Sequence, residues 1–281
     1  MSIEADVDRE WLGWLIGLLK TGAEAFDVHL ADAVVPGLRG RTVGCRVSAG
    51  ARDWWLRVVT EPAGWSHGPA WTGNSDANQI TGVPRPRVVR TTEWDEAGRR
   101  VRAELMTLAP GSAIAREVVL REPVRLDGSW WDQLRSSLDV LARQSTERVC
   151  LAPELLRRRI LSAFGVAVDP NTLAWVTVHG DLHWANLTNP GCWILDWESW
   201  GIAPAGYDAA LLHAASVVQP AIAQRVRATF ADVLDGPAGA VAGLAAAAKL
   251  LRLVEHGDHP DLAAPLHRHA RELVCTYFGQ T

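Results

Sequence analysis

Apolar residues recur at helical spacing in several long segments of this chain. The clearest lies near the N-terminus, where Trp11, Leu15, Ile16 and Leu19 share one face and predict a helix over residues 7–28. The same period predicts a group of helices that fills most of the second half of the chain, over residues 130–149, 154–164, 209–218, 220–234, 237–254 and 268–277.

Short apolar and β-branched runs bounded by turn residues predict strands, and most of them lie in the first part of the chain. They cover residues 34–47, 54–59, 87–91 and 99–106, with a hairpin turn at 48–53. A later pair of strands is predicted at 172–178 and 192–195, joined through the turn Asn189-Pro190-Gly191. Strands followed by helices indicate an α+β protein.

Composition excludes some classes of function. The 281 residues contain 48% hydrophobic and 21% charged residues, with a net charge of -4 and a pI near 6.1, which argues against nucleic-acid binding. The apolar segment 11–19 is too short to cross a bilayer. The residues before it are acidic, whereas those of a signal peptide are basic. The four cysteines are scattered along the chain without a C-x-x-C pair, which indicates reduced thiols. We therefore expect a cytoplasmic protein without nucleic-acid or membrane partners.

The candidate chemistry lies directly after the predicted strand 172–178. Asp181 follows the turn at His179-Gly180, Asn186 lies five residues later, and Asp196 ends the next predicted strand. Phosphoryl transfer needs alignment and charge neutralisation more than covalent chemistry from the protein. Asp181 is the candidate to accept a proton from a substrate hydroxyl, and Asn186 and Asp196 are candidates to hold Mg²⁺ on the phosphates of ATP.

Three motifs occur in order in this region: His179-Gly180-Asp181-Leu182-His183-x-x-Asn186, then Ile194-Leu195-Asp196-Trp197-Glu198, then Gly206-Tyr207-Asp208-Ala209-Ala210. Together they resemble the aminoglycoside phosphotransferase and choline kinase family. The resemblance implies a two-lobed, protein-kinase-like fold. Residues 1–109 would form a small antiparallel-sheet lobe that binds nucleotide, with a hinge at 105–110, and residues 110–281 a larger, mainly helical lobe with catalytic and substrate residues.

The resemblance also implies nucleotide-binding residues. Gly40 lies where the family has a loop over the nucleotide; the glycines alone would favour a plain hairpin turn, and the position in the chain favours the loop. Arg57 takes the place of the phosphate-binding lysine, with Asp76 as its candidate partner; Asp76 could equally be a helix N-cap. In the hinge, Met106 would pack beside the base, and backbone groups of Thr107 and Ala109 would bind it. The expected cofactors are ATP (or GTP) and Mg²⁺.

Other polar residues are given supporting or substrate roles. His179 and Asp208 are expected to hold the catalytic loop, and Glu198 to assist the metal through a water molecule. The acids Glu255, Asp258, Asp261 and Glu272 are candidates to bind a basic acceptor, with ordinary surface carboxylates as the alternative.

The resemblance favours an O-phosphotransferase that inactivates an antibiotic and so confers resistance. Aminoglycosides and cationic peptides such as capreomycin or viomycin are the preferred acceptors, and a kinase of choline, homoserine or a sugar is the alternative. A metallohydrolase using His179, Asp181, His183, Asp196 and Glu198 is a third hypothesis. A degenerate kinase that only binds nucleotide is a fourth. The protein is expected to be a monomer or homodimer.

Overall fold

The computed structural model describes residues 3–37 and 40–279, with only the backbone of residues 3–8. The chain divides into two compact units. The first comprises Met1–Gln79 with Pro86–Ala109, and the second comprises Ile80–Arg85 with Pro110–Thr281. Residues 80–85 thus group with the second unit, whereas the predicted division assigns them to the first.

The first unit is an antiparallel sheet with one long helix. Its elements are α1 (Ile3–Phe26), β1 (His29–Leu30), β2 (Val35–Pro36), β3 (Thr42–Ala49), β4 (Arg52–Pro62), α2 (Pro69–Asp76), β5 (Val88–Glu96) and β6 (Arg99–Thr107). The strand order is β1-β3-β4-β6-β5, and β2 also pairs with β3. The strands pair antiparallel throughout, as predicted for the N-terminal part.

Burial of apolar faces holds the first unit together. The stripe of α1 predicted from the sequence lies on the sheet, and Leu15, Leu18 and Leu19 are fully buried. They pack in one cluster with inward-facing strand residues, among them Leu56 and Val101. Burying a leucine fully contributes about 1.5–3 kcal/mol, so this stripe is a large part of what stabilises the unit.

The second unit is mainly helical, as predicted. Its elements are β7 (Ser112–Ala113), α3 (Gly128–Ala142), α4 (Pro153–Phe164), β8 (Trp175–Val178), β9 (Thr188–Asn189), β10 (Gly201–Pro204), α5 (Tyr207–Ala214), α6 (Pro220–Thr229), α7 (Ala231–Leu234), α8 (Pro237–Glu255) and α9 (Ala263–Phe278). β8 pairs with β10, and β7 with β9, both antiparallel.

Helix α8 is the core helix of the second unit. It contacts α4, α5, α7 and α9. Its length and composition alone would suit a membrane span, but 67% of that window is buried inside the protein. The burial is that of a core helix, which is apolar for the same reason.

The structure contradicts the predicted strand at 192–195. This segment forms only an isolated bridge between Leu187 and Ile194, and the partner of β8 is β10 instead. The reason is that other groups occupy its backbone: Ile194 N–H donates to the carbonyl of Pro84 at 3.0 Å, and Leu195 N–H donates to that of Asn186 at 2.8 Å. The helix predicted over 130–149 also ends early, at Ala142.

Candidate active site

A sharp turn follows β8 and begins the candidate catalytic loop. Gly180 has φ of +80°, and a Cβ atom there would lie 2.6 Å from the carbonyl oxygen of Ser199 and would overlap the Cys150 sulfur. Only glycine meets both conditions without strain. The loop then ends in a single 3₁₀ turn over Trp184–Asn186, so Asp181 and Asn186 lie at the two ends of one short, fixed segment.

Asp208 holds the backbone of this turn. Its two carboxylate oxygens accept hydrogen bonds from the backbone N–H of His179 at 2.7 Å and of Gly180 at 2.8 Å. Asp208 lies in the first turn of α5 and is buried. Burial raises the pKa of its carboxyl to about 6, although the two N–H donors favour the charged form.

Replacing Asp208 by alanine should therefore leave two buried N–H groups without an acceptor. We expect the free energy of unfolding to fall by about 2–6 kcal/mol, since each of the two buried unsatisfied groups costs about 1–3 kcal/mol. Urea unfolding at pH 7 measures the change. Asp132, an exposed aspartate on α3, provides the control: Asp132→Ala should shift stability by less than about 0.5 kcal/mol. Equal effects of the two changes would contradict the role of Asp208.

His179 is a structural member of the loop by its contacts. Its Nε2 lies 2.9 Å from the carbonyl oxygen of Leu195, and its ring meets Trp197 edge to face at 4.9 Å. The side chain is fully buried, and burial lowers the pKa of the imidazole to about 4. The neutral ring thus ties the loop to the segment that carries Asp196.

Two imidazoles that the fold shields from solvent make the stability of the fold depend on pH. Burial also lowers the pKa of His213 to about 4, against 6.5 for an unperturbed histidine. Both rings take up a proton more readily in the unfolded chain, so their contribution is complete above pH 6.5 and is lost as pH falls towards 4.

At pH 5 each of these histidines should cost about 2 kcal/mol, and protonation of Asp208 should offset about 1 kcal/mol. Urea unfolding should therefore show about 3 kcal/mol less stability at pH 5 than at pH 7. His213→Gln should flatten this dependence, whereas His67→Gln, at an exposed ring, should not. A profile that is flat in the wild type would contradict the assignment.

Asp181 is held by a residue that the sequence analysis did not single out. Its Oδ1 accepts a hydrogen bond from Lys249 Nζ at 2.7 Å, and its Oδ2 lies 3.5 Å from His183 Nε2. Burial would raise the pKa of the Asp181 carboxyl, but Lys249 and His183 together hold it well below its usual range. One third of the side chain is exposed. Asp181 is therefore an ionised carboxylate that a small molecule can reach.

Asn186 is oriented so that its amide oxygen is available. Its Nδ2 donates to the carbonyl oxygen of Asp181 at 3.0 Å and lies 3.2 Å from His183 Nε2. Over the described ranges, 3–37 and 40–279, no hydrogen bond to its Oδ1 is formed. An oriented, uncommitted amide oxygen is a suitable ligand for a hard cation.

Asp196 lies beside Asn186 because of the backbone hydrogen bond from Leu195 to Asn186. It adopts φ of +57°, a left-handed conformation that aspartate tolerates better than most residues. Glu198 is half-buried two residues later, and its carbonyl oxygen accepts a hydrogen bond from Arg148 at 3.2 Å. Hydrogen bonds thus connect the segment of Asp196 to Asn186, and Asn186 to the Asp181 carbonyl. We call Asp181, Asn186 and Asp196 the loop cluster, and their joint role stays a prediction.

The donor set suits Mg²⁺ better than zinc. Mg²⁺ is held by one or two carboxylates together with substrate phosphates and water, and Asn186 with Asp196 provides such a partial oxygen set. A zinc hydrolase needs three protein ligands, usually including histidines. Within the described residues, no group of three His, Cys, Asp or Glu side chains has metal-binding geometry.

The four acids predicted to bind a basic acceptor lie in the last part of the chain, from the end of α8 to α9. Asp261 accepts a hydrogen bond from Arg121 at 2.8 Å, and Glu255 and Glu272 are exposed. Asp258 lies in the loop after α8, and its N–H donates to Leu253 O at 2.9 Å. Their assignment to the acceptor stays a prediction.

In the first unit, Arg57 belongs to a buried charge network. Its Nη1 donates to Glu104 Oε2 at 3.1 Å, and Glu104 also accepts from Arg102 and from Asn74 of α2. Glu104 is an acid that the sequence analysis did not name. Asp76 accepts a hydrogen bond from Thr72 Oγ1 at 2.6 Å, and its pairing with Arg57 stays a prediction.

The glycines of the predicted nucleotide loop have packing explanations. Gly40 has φ of +61° and lies against Trp11, whose indole donates to the Gly40 carbonyl at 2.8 Å. A Cβ at Gly44 would overlap the ring of Trp55. Packing inside the unit is sufficient to require glycine at both positions, and the nucleotide role of Gly40 stays a prediction.

The predicted adenine-binding residues lie at the end of β6. Met106 is buried, and the Thr107 N–H already donates to the carbonyl of Arg87 at 2.9 Å. In the part of the chain that the structure describes, the Ala109 N–H has no backbone partner. Of these backbone N–H groups, that of Ala109 is the one left available to a base.

Comparisons with known proteins relate this part of the chain to phosphotransferases. The sequence profile described as the phosphotransferase enzyme family matches residues 130–250, which include the loop cluster and Lys249. No curated protein sequence matches the chain.

Solved structures extend the likeness to the whole fold. Aminoglycoside phosphotransferase APH(4)-Ia has a TM-score of 0.63 at 12% identity, covering 92% of this chain and 98% of that one. A thermostable mutant of APH(4)-Ia in ternary complex with ADP and hygromycin B gives a TM-score of 0.62 at 12% identity with the same coverage. Residues 130–250 thus match the phosphotransferase enzyme family, and the chain has the fold of the aminoglycoside phosphotransferases, as the resemblance implied.

Proposed function

We propose that this protein transfers the γ-phosphoryl group of ATP to a hydroxyl of a small-molecule antibiotic. The observation that carries the proposal is the loop cluster: Asn186 Nδ2 donates to the Asp181 carbonyl, Leu195 N–H donates to the Asn186 carbonyl, and one third of the Asp181 side chain is exposed. A base and a two-oxygen metal site are the parts that phosphoryl transfer requires of this region.

The chemistry follows from the positions of these groups. The acceptor hydroxyl donates a hydrogen bond to Asp181, which orients its oxygen towards the γ-phosphorus and takes the proton as the new O–P bond forms. The bond from phosphorus to the bridging oxygen of ADP breaks in the same step. Because the transition state is loose, a carboxylate of low pKa suffices, since it acts mainly through orientation.

Asn186 and Asp196 are the residues proposed to hold Mg²⁺. When bound, the metal would neutralise charge on the phosphate oxygens. Asn186 contributes its free amide oxygen and Asp196 a carboxylate, and the hydrogen bond from Leu195 to Asn186 keeps the two residues adjacent. Glu198 would contribute through a water molecule.

Nucleotide contacts are proposed for the first unit on the basis of the family resemblance. Arg57 would bind phosphate oxygens in place of a lysine, and guanidinium suits that task because it is planar and always charged. The Ala109 N–H, with Thr107 and Met106, would bind the base, and Gly40 would lie near the phosphates.

The acceptor is proposed from the relatives. A mutant of APH(4)-Ia has been solved with ADP and hygromycin B, and this supports an antibiotic as acceptor here, with aminoglycosides first and cationic peptides second. Modification of the drug would confer resistance on the cell that carries the protein in its cytoplasm. The alternative is a kinase of a small metabolite, and an acceptor screen distinguishes the two.

An acceptor screen tests the proposal. Purified protein is incubated with ATP and Mg²⁺ and with aminoglycosides, cationic peptides, choline, homoserine or sugars, and mass spectrometry identifies products that carry an added phosphate. We expect ATP-dependent phosphorylation of an antibiotic. Phosphorylation of a metabolite alone would reassign the acceptor class, and binding of ATP without transfer to any compound would favour the degenerate kinase.

A further inference from the structure

Lys249 is a charged residue within an otherwise apolar part of a core helix. It lies in the second half of α8, where its neighbours Ala247, Ala248, Leu250 and Leu251 are buried. Only two of the 28 basic residues of the chain are lysines. A charged side chain in an apolar helix needs a specific partner to offset the loss of hydration.

The partners of Lys249 both belong to the catalytic loop. Its Nζ donates to Asp181 Oδ1 at 2.7 Å and to the carbonyl oxygen of Gly180 at 2.8 Å. The single Nζ atom thus holds both the Asp181 carboxylate and the backbone of the preceding residue. A carboxylate held through one oxygen cannot rotate freely about its Cβ–Cγ bond.

The contact determines which oxygen of Asp181 remains for the acceptor. Oδ1 is engaged by Lys249, whereas Oδ2 lies at 3.5 Å from His183 Nε2, beyond an ordinary hydrogen bond. A hydroxyl that approaches the carboxylate therefore meets Oδ2 as the less committed oxygen.

We propose that Lys249 is a positioning residue for phosphoryl transfer, which acts by holding the Asp181 carboxylate so that Oδ2 receives the acceptor hydroxyl. The inference rests on the proposed function. Lys249 stays protonated throughout: the hydroxyl proton goes to Oδ2, the acceptor oxygen bonds to the γ-phosphorus, and ADP leaves with the electrons of the broken bond.

A double-mutant cycle tests this role. Lys249→Met in the wild-type background should lower kcat about 100-fold, because a misplacement of about 1 Å at a reacting group costs about that much. The KM for ATP should change less than about threefold. In an Asp181→Asn background, where no carboxylate remains to be positioned, the same change should alter kcat less than about threefold. This double variant removes both charges together and leaves neither ion unpaired.

Amine rescue separates positioning from a purely structural role. Lys249→Ala leaves a space where the lysine side chain was. Because about a quarter of that side chain is exposed, a small amine can enter the space from solvent. Ethylammonium or propylammonium should therefore restore kcat at least tenfold, and propanol should not. Lys249→Arg should retain more activity than Lys249→Met. Thermal unfolding of each variant confirms that it is folded.

The assays use ATP and hygromycin B, and ATP alone with water as the acceptor. Kinetics of Lys249→Met within threefold of the wild type would overturn the inference, and so would equal losses in both backgrounds or a loss that no amine restores. Each of these leaves the proposed function intact, since the wild type still transfers phosphate. Failure of the wild type to turn over ATP with any acceptor would instead remove the proposed function.

Discussion

Asp181→Asn is expected to lower kcat by about 10²–10⁴-fold, the range for loss of a positioned general base. The change keeps the size of the side chain and its hydrogen bond to Lys249 through the amide oxygen. It removes the negative charge and places an amide NH₂ at one of the two oxygen positions. The acceptor hydroxyl then has no carboxylate to receive its proton.

The affinity for nucleotide should survive this change, because Asp181 is not among the proposed nucleotide contacts. Steady-state kinetics give kcat, and equilibrium titration with ADP gives the dissociation constant. Asp132→Asn, at an exposed aspartate, is the matched control and should behave as wild type in both. An Asp181→Asn protein with more than a third of wild-type kcat would remove the assignment of the base.

Asp196→Asn is expected to have the second largest effect, through the metal. Asparagine tolerates the left-handed backbone found at this position, so the fold should be preserved while one anionic ligand is lost. Mg²⁺ favours carboxylate ligands. We expect the Mg²⁺ concentration for half-maximal activity to rise at least about tenfold, and kcat at saturating metal to fall about 100-fold.

Titration of activity with Mg²⁺ measures this effect. Glu122→Gln, at an exposed acid, provides a control for general loss of negative charge, and its metal dependence should equal that of wild type. An Asp196→Asn protein with an unchanged Mg²⁺ requirement would show that the metal is held elsewhere.

The local part of the site could be predicted from the sequence, and the long-range part could not. Asp181, Asn186 and Asp196 lie within sixteen residues of one another, so a motif and one sharp turn at Gly180 are enough to place them together. Lys249 lies 68 residues from Asp181 in sequence. Its rarity in an arginine-rich chain was a signal, but nothing local connects it to the loop.

Pairing between distant strands was missed for the same reason. The segment 192–195 has the composition of a strand, yet its N–H groups bond to Pro84 and Asn186, and β8 finds its partner in β10. Likewise Glu104, the observed partner of Arg57, lies across a strand pair in β6. Composition predicts that a segment is buried, whereas its partner depends on the tertiary fold.

Transfer of labelled phosphate tests the central claim most directly. ATP carrying heavy oxygen in its γ-phosphoryl group is incubated with the protein, Mg²⁺ and hygromycin B, in parallel with the Asp181→Asn variant. We expect the label to appear in a phosphate ester of the acceptor at a rate that the variant lowers by at least about 100-fold. Label that appears only in inorganic phosphate, at the same rate in both proteins, would contradict the account.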